Sequence, residues 1–154
     1  MKSRMAVLLG CLVLACASCA DAGGEAAVIQ QADLVGDWAN SAGARVHMAD
    51  DHTVTASGVD HAVPDYTCPT TVKAARWQFF TRADSSGFAT ASDSVAEGDS
   101  LVVNVDAGDP DSQWCDLQAA VQRDYRGFNL CLVLDMDQGC TAGELLRRVP
   151  AARA

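Results

Sequence analysis

From Leu34 onward, apolar and polar residues take turns along most of this chain. Alternation with a period of two puts successive side chains on opposite faces of an extended backbone, so each such run reads as a strand with one buried face. In the first run Leu34, Gly36 and Trp38 share a face; in the second, Val46 and Met48 oppose Arg45 and His47. Asp50-Asp51 then turns the chain into Thr53-Val54-Thr55-Ala56. Beyond a loop with Pro64, Cys68 and Pro69, residues 76–82 set Trp77 and Phe79 against Arg76, Gln78 and Arg82. Three more runs follow: Leu101, Val103 and Val105 against Val102 and Asn104; Leu117, Ala119 and Val121 against Asp116, Gln118 and Gln122; Phe128, Leu130, Leu132 and Leu134 against Asn129, Cys131 and Val133. Residues 88–92 add a weaker strand.

Seven or eight strands separated by turn residues, most with one apolar face, predict an all-β fold: a small antiparallel barrel or sandwich. Closure into a barrel removes exposed edges. A short helix is expected at the end, where Thr141-Ala142-Gly143-Glu144 is a capping box, Arg147 and Arg148 sit where cations favour a helix C-terminus, and Pro150 stops it.

The front of the chain reads differently. Lys2 and Arg4 precede an uncharged run at residues 5–17, the layout of a secretory signal. That run of about 13 residues is too short to span a bilayer, which takes about 20. Small residues offer several cleavage points, at Ala15-Cys16-Ala17, Ser18-Cys19-Ala20 and Ala20-Asp21-Ala22. The segment also resembles the lipobox of bacterial lipoproteins, in which a cysteine after small residues is acylated and becomes the first residue. Leu8-Leu9-Gly10-Cys11 leaves too short an apolar run before it, Val13-Leu14-Ala15-Cys16 has Leu where a small residue is usual, and Cys16-Ala17-Ser18-Cys19 has Cys where Leu is usual.

Cysteine parity chooses among them. The seven cysteines are Cys11, Cys16, Cys19, Cys68, Cys115, Cys131 and Cys140. Acylating Cys19 leaves an even set behind it, whereas acylating Cys16 strands Cys19 as an unpaired thiol in an oxidising compartment. Residues 1–19 are therefore assigned to the signal segment, 20–33 to a tether containing Gly23-Gly24, and 34–149 to one barrel domain with its terminal helix. The protein is expected outside the cytoplasm, held at the membrane by lipid, with plain secretion after Ala20 or Ala22 as the alternative.

Four cysteines allow three pairings, and strand parity narrows them. Cys115 shares the inward face of Leu117 and Val121, while Cys131 lies opposite the Leu130-Leu132-Leu134 stripe. The expected bonds are Cys68 with Cys115, and Cys131 with Cys140. A metal site built from the same four lacks any C-x-x-C pair.

Charge narrows the partners. The chain has 11 basic and 20 acidic residues, and loss of Lys2 and Arg4 with the leader moves its net charge from −9 to −11. Such a surface repels phosphate backbones, which excludes nucleic acid and suits a basic protein partner. Nearly all the acidic residues are Asp, which favours turns over helix interiors.

Leu34-Val35-Gly36-Asp37-Trp38 contains the G-x-W signature on the first strand that resembles the lipocalin and wider calycin group, eight-stranded barrels that often hold a small ligand. The resemblance implies that Trp38 closes the barrel floor as a packing residue, its indole N–H needing a partner. Gly36-Asp37-Trp38-Ala39-Asn40 is also similar to the biotin-binding avidins, which would make Asn40 a ligand contact. The later tryptophans of that family have no match at Trp77 or Trp114, which counts against biotin. The whole pattern resembles uncharacterised small bacterial lipoproteins.

His47, Asp50, Asp51, His52, Asp60 and His61 offer imidazole and carboxylate within a short span, but the pattern reads as solvated side chains, with His47 outward and His52 in a turn. Asp106, Asp109 and Asp111, and separately Asp135 and Asp137, do not fit an EF-hand loop and read as acidic turns. Asp109 and Asp111 have no spacing specific to a glycosidase pair. No G-x-S-x-G elbow, H-E-x-x-H helix or phosphate-cradling glycine loop occurs. The expectation is a non-catalytic module without metal or cofactor that binds a small apolar ligand or a protein, with Trp38, Asn40, Trp77 and Phe79 as core or pocket lining. The alternative is a structural envelope lipoprotein with a filled core; an enzyme comes third.

Overall fold

The alternating runs close into a ring of strands in the computed structural model, which describes residues 24–63, 68–83, 85, 87–105, 115–133 and 139–150. The leader with Cys19, and Asp106, Asp109, Asp111, Trp114, Leu134, Asp135 and Asp137, lie outside the described residues. In chain order the elements are β1 (Glu25–Ala26), β2 (Ile29–Gln30), α1 (Gln31–Leu34), β3 (Gly36–Ala39), β4 (Arg45–Met48), β5 (Thr53–Ser57), α2 (Val59–Ala62), β6 (Thr71–Phe80), β7 (Ala91–Ser92), β8 (Glu97–Gly98), β9 (Ser100–Val105), β10 (Cys115–Asp124), β11 (Gly127–Val133) and β12 (Leu145–Arg148). Strands β3, β4, β5, β6, β9, β10, β11 and β12 pair antiparallel in that order, and β12 returns to β3 through Arg147–Ala39 and Arg148–Trp38. The result is a closed eight-stranded barrel with no free edge among the eight.

Two expectations are corrected. Residues 145–148 form β12 and not a helix. Leu146 enters the main core while Leu145 joins Cys131, Val133 and Cys140 on the outer side, an alternation only an extended strand gives. The capping box closes a turn instead: Thr141 N–H donates to Glu144 Oε2 at 2.7 Å, and Glu144 N–H to the Thr141 carbonyl at 3.2 Å. A helix there would leave the facing edges of β11 and β3 with unpaired backbone groups, so tertiary closure outweighs the local signal.

The second correction concerns the stretch read as a tether. Glu25 and Ala26 pair with Arg123 and Gln122 of β10, and Ile29, paired to Gly98, is fully buried. Burial of Ile29 and Leu34 recruits residues 25–34 into the domain, covering one end of the ring. At the other end α2 contributes Val59 and Ala62 to the core.

The inward faces fill the barrel. Trp38, Met48, Trp77, Phe79, Leu101, Leu130, Leu132 and Leu146 are each 0–1% exposed and belong to one cluster. Burying a side chain of this size contributes about 1.5–3 kcal/mol, so this cluster is the main stabilising feature. Opposite Val54 and Ala56, β6 carries one extra residue between Val72 and Ala75, a bulge that bends the wall formed by β4, β5 and β6.

Candidate functional site

The two pairs of sulfurs join as strand parity requires, Cys68 to Cys115 and Cys131 to Cys140. The first links the α2 connection to β10 on the core side, and the second links β11 to the turn before β12 on the outer side. Cys131, Cys140 and Glu144 form the one grouping of three metal-type ligands among the described residues, but its two sulfurs are bonded to each other.

The three aromatics pack in the core. Trp38 is 1% exposed and donates its indole N–H to the Leu34 carbonyl at 2.8 Å, the partner that the G-x-W reading requires. Gly36, at φ 140°, lies where a Cβ would come within 3.1 Å of Arg148 Nη2. That guanidinium donates to the carbonyls of Val35, at 2.6 Å, and Asp33, fastening β12 to the segment that leads from α1 into β3. Trp77 donates to the Ala49 carbonyl at 3.0 Å, and Phe79 meets it edge-on at 5.4 Å.

Asn40 holds loops together. Its Oδ1 accepts from Ala44 N–H at 2.8 Å, closing the turn between β3 and β4, and its Nδ2 donates to the Gly143 carbonyl. Both ends of the amide are engaged within the chain.

His52 departs from its expected solvated place. It is only 9% exposed, stacks on Trp77 with ring centroids 4.1 Å apart, and holds a left-handed backbone at φ 67°. Its Nδ1 lies 3.1 Å from the Trp77 carbonyl, which can only accept, so the proton of the neutral ring sits on Nδ1. Asp93 Oδ1 stands 3.6 Å away. Hydrogen bonds from Gln78 at 2.9 Å and Arg76 at 3.0 Å hold the Asp93 carboxyl below the usual range.

Of the remaining candidates, His47, Asp51, Asp60 and His61 have local partners, and Asp50 accepts from Gln31 Nε2 only through its backbone carbonyl. His47 Nδ1 meets Asp37 Oδ1 at 2.8 Å, Asp60 accepts from the Thr70 hydroxyl at 3.0 Å, and His61 lies 3.8 Å from Asp60. Asp51 accepts from the Thr53 hydroxyl at 2.6 Å and amide at 2.9 Å, bonds that lower its pKa. These residues therefore do not converge on a common ion position.

A cleft of about 590 Å³ opens on the outside of β3 to β6. Its floor is the backbone of the row Trp38–Val46–Ala56–Val72, whose side chains point inward. Two outward rows flank that floor: Arg45, Ser57 and Thr71 stand opposite one another on β4, β5 and β6, and Asp37, His47 and Thr55 do so on β3, β4 and β5. Lys73 borders the second row at the bulge. Alternation places Arg45 and His47 outward, but the cross-strand registers that gather Ser57, Thr71 and Lys73 beside them are not encoded in any local pattern.

No protein-family model, curated protein or solved structure matches this chain.

Proposed function

We propose that the protein is an exported, lipid-anchored, non-catalytic interaction module that makes its contacts with the outside of a filled barrel. The observation carrying this reading is the packed interior: the side chains that would line an internal ligand pocket, Trp38, Trp77 and Phe79, are buried against one another and their neighbours. Two disulfides suit an oxidising compartment. Cys19 stands five residues before Gly24, which packs on Arg123, so an acyl anchor there would hold the barrel within about 18 Å of the bilayer at full extension. The calycin likeness gains support from the closed eight-strand ring and the satisfied Trp38 indole. The acidic excess adds a basic protein to the partners this surface suits.

The filled core equally favours a second reading, a structural envelope lipoprotein with no ligand. Membrane fractionation and native mass spectrometry of the mature protein test both. The wild type should sediment with membranes, and Cys19→Ala should be released to the soluble fraction. The protein should carry no small apolar molecule into the gas phase. An unchanged membrane fraction for Cys19→Ala refutes the anchor, and a retained apolar molecule refutes the filled barrel.

A further inference from the structure

We propose that the outer groove of β3 to β6 binds a small soluble phosphate-bearing molecule between Arg45 and Lys73. The chain is strongly acidic, yet among the described residues only Arg76, by Asp93, and Arg147, by Asp124, are matched by a carboxylate; Arg148 donates to backbone carbonyls, Arg123 lies over the Phe128 ring and Arg126 donates to the Tyr125 hydroxyl. Arg45 and Lys73, like Arg82, Arg123 and Arg126, have no acidic partner among the described residues, but they are the pair that stands exposed on one concave wall. Lys73 is also the one lysine beyond the leader. Among the described residues the single carboxylate lining the groove, Asp37, is engaged by His47.

The donors between the two cations suit a tetrahedral anion. Ser57 and Thr71 lie directly across from Arg45 on successive strands, a row about 10 Å wide at the usual strand spacing. Thr55 stands in the next row. A planar carboxylate has two oxygens, which the guanidinium fork alone can occupy; a phosphate offers further oxygens for the Lys73 ammonium and the hydroxyls. The ligand is a soluble one because of where the groove sits. In the ring order β4 is four strands from β10, the strand against which the N-terminal stretch pairs, so the groove occupies the wall opposite the tethered one.

This inference rests on the reading that contacts are made outside the barrel. The test is a ¹⁵N NMR titration of the mature protein with inorganic phosphate, with acetate and anionic phospholipid vesicles as parallel arms at matched ionic strength. Saturable amide shifts confined to residues 45–47, 55–57 and 71–73 are expected with phosphate alone. Lys73→Gln and Arg45→Gln should each weaken binding about tenfold, the loss of one charge-assisted hydrogen bond, while Arg82→Gln should leave it unchanged. Absence of saturation, shifts spread over all the arginines, an equal response to acetate, or a groove response to vesicles instead of phosphate would each overturn the proposal. A molecule retained inside the barrel in native mass spectra would instead remove the underlying reading, independently of the titration.

Discussion

Removing the two disulfides one at a time separates their contributions by loop length. Cys68–Cys115 closes a loop with a sequence separation of 47, and Cys131–Cys140 one of 9. In the loop-entropy treatment these lengths correspond to about 4 kcal/mol and about 2.6 kcal/mol at 25 °C, a difference of about 1.4 kcal/mol. Packing terms should largely cancel, because all four cysteines are buried, at 8% and 1% exposure in the long staple and 1% and 6% in the short one. The comparison is between the double variants Cys68→Ala/Cys115→Ala and Cys131→Ala/Cys140→Ala, followed by equilibrium urea unfolding. The first should lose more stability than the second by about 1.4 kcal/mol, and its m-value should rise further because its unfolded chain loses the longer constraint. Equal losses, or a larger loss from the short loop, would refute the assignment of this stabilisation to the unfolded ensemble.

Three other perturbations test separate parts of the structure. Hydrogen bonding to Arg147 holds the Asp124 pKa down at about 2, so the pair contributes stability above the ordinary carboxylate pKa and loses it as pH falls from about 4 towards 2. The Tm difference between the wild type and Asp124→Asn should therefore be constant near neutrality and shrink through that window. Gly36→Ala forces a side chain onto φ 140° and against Arg148, and should cost about 1–3 kcal/mol in urea melts. His52→Ala and His52→Gly both lose the stack on Trp77, but only glycine takes φ 67° without strain, so the alanine variant should be the less stable by about 1 kcal/mol in the same melts.

Strand alternation made most of the barrel legible. The inward places of Trp38, Val46, Trp77, Leu117 and Leu130 follow from period two alone, and opposite parity at Cys115 and Cys131 was enough to exclude a bond between them. Residues 141–148 were misleading because a capping box is a local signal, satisfied as well by a turn as by a helix. The need of β11 and β3 for a shared partner acts at long range and decided the outcome. Residues 25–30 lack a run long enough to show a period, and their burial comes from β8 and β10, far along the chain.

The site was less legible than the fold. Asn40 resembled a ligand contact by position, yet its amide serves two loops. His52 carried no sign of burial in its polar neighbours, because the indole that covers it arrives from β6. Arg45 and Lys73 are distant in sequence and come to line one cleft only through two registers and a bulge.

The closed ring is the claim on which the filled core, the outward groove and the sulfur pairings all depend, and its seam is the pairing of β12 with β3. A NOESY spectrum of the mature protein addresses that seam directly. Cross-strand contacts between the backbones of Arg147 and Ala39 and of Arg148 and Trp38 are expected. Sequential amide–amide contacts typical of a helix through residues 145–148, with no cross-strand contacts to residues 38–39, would contradict the barrel.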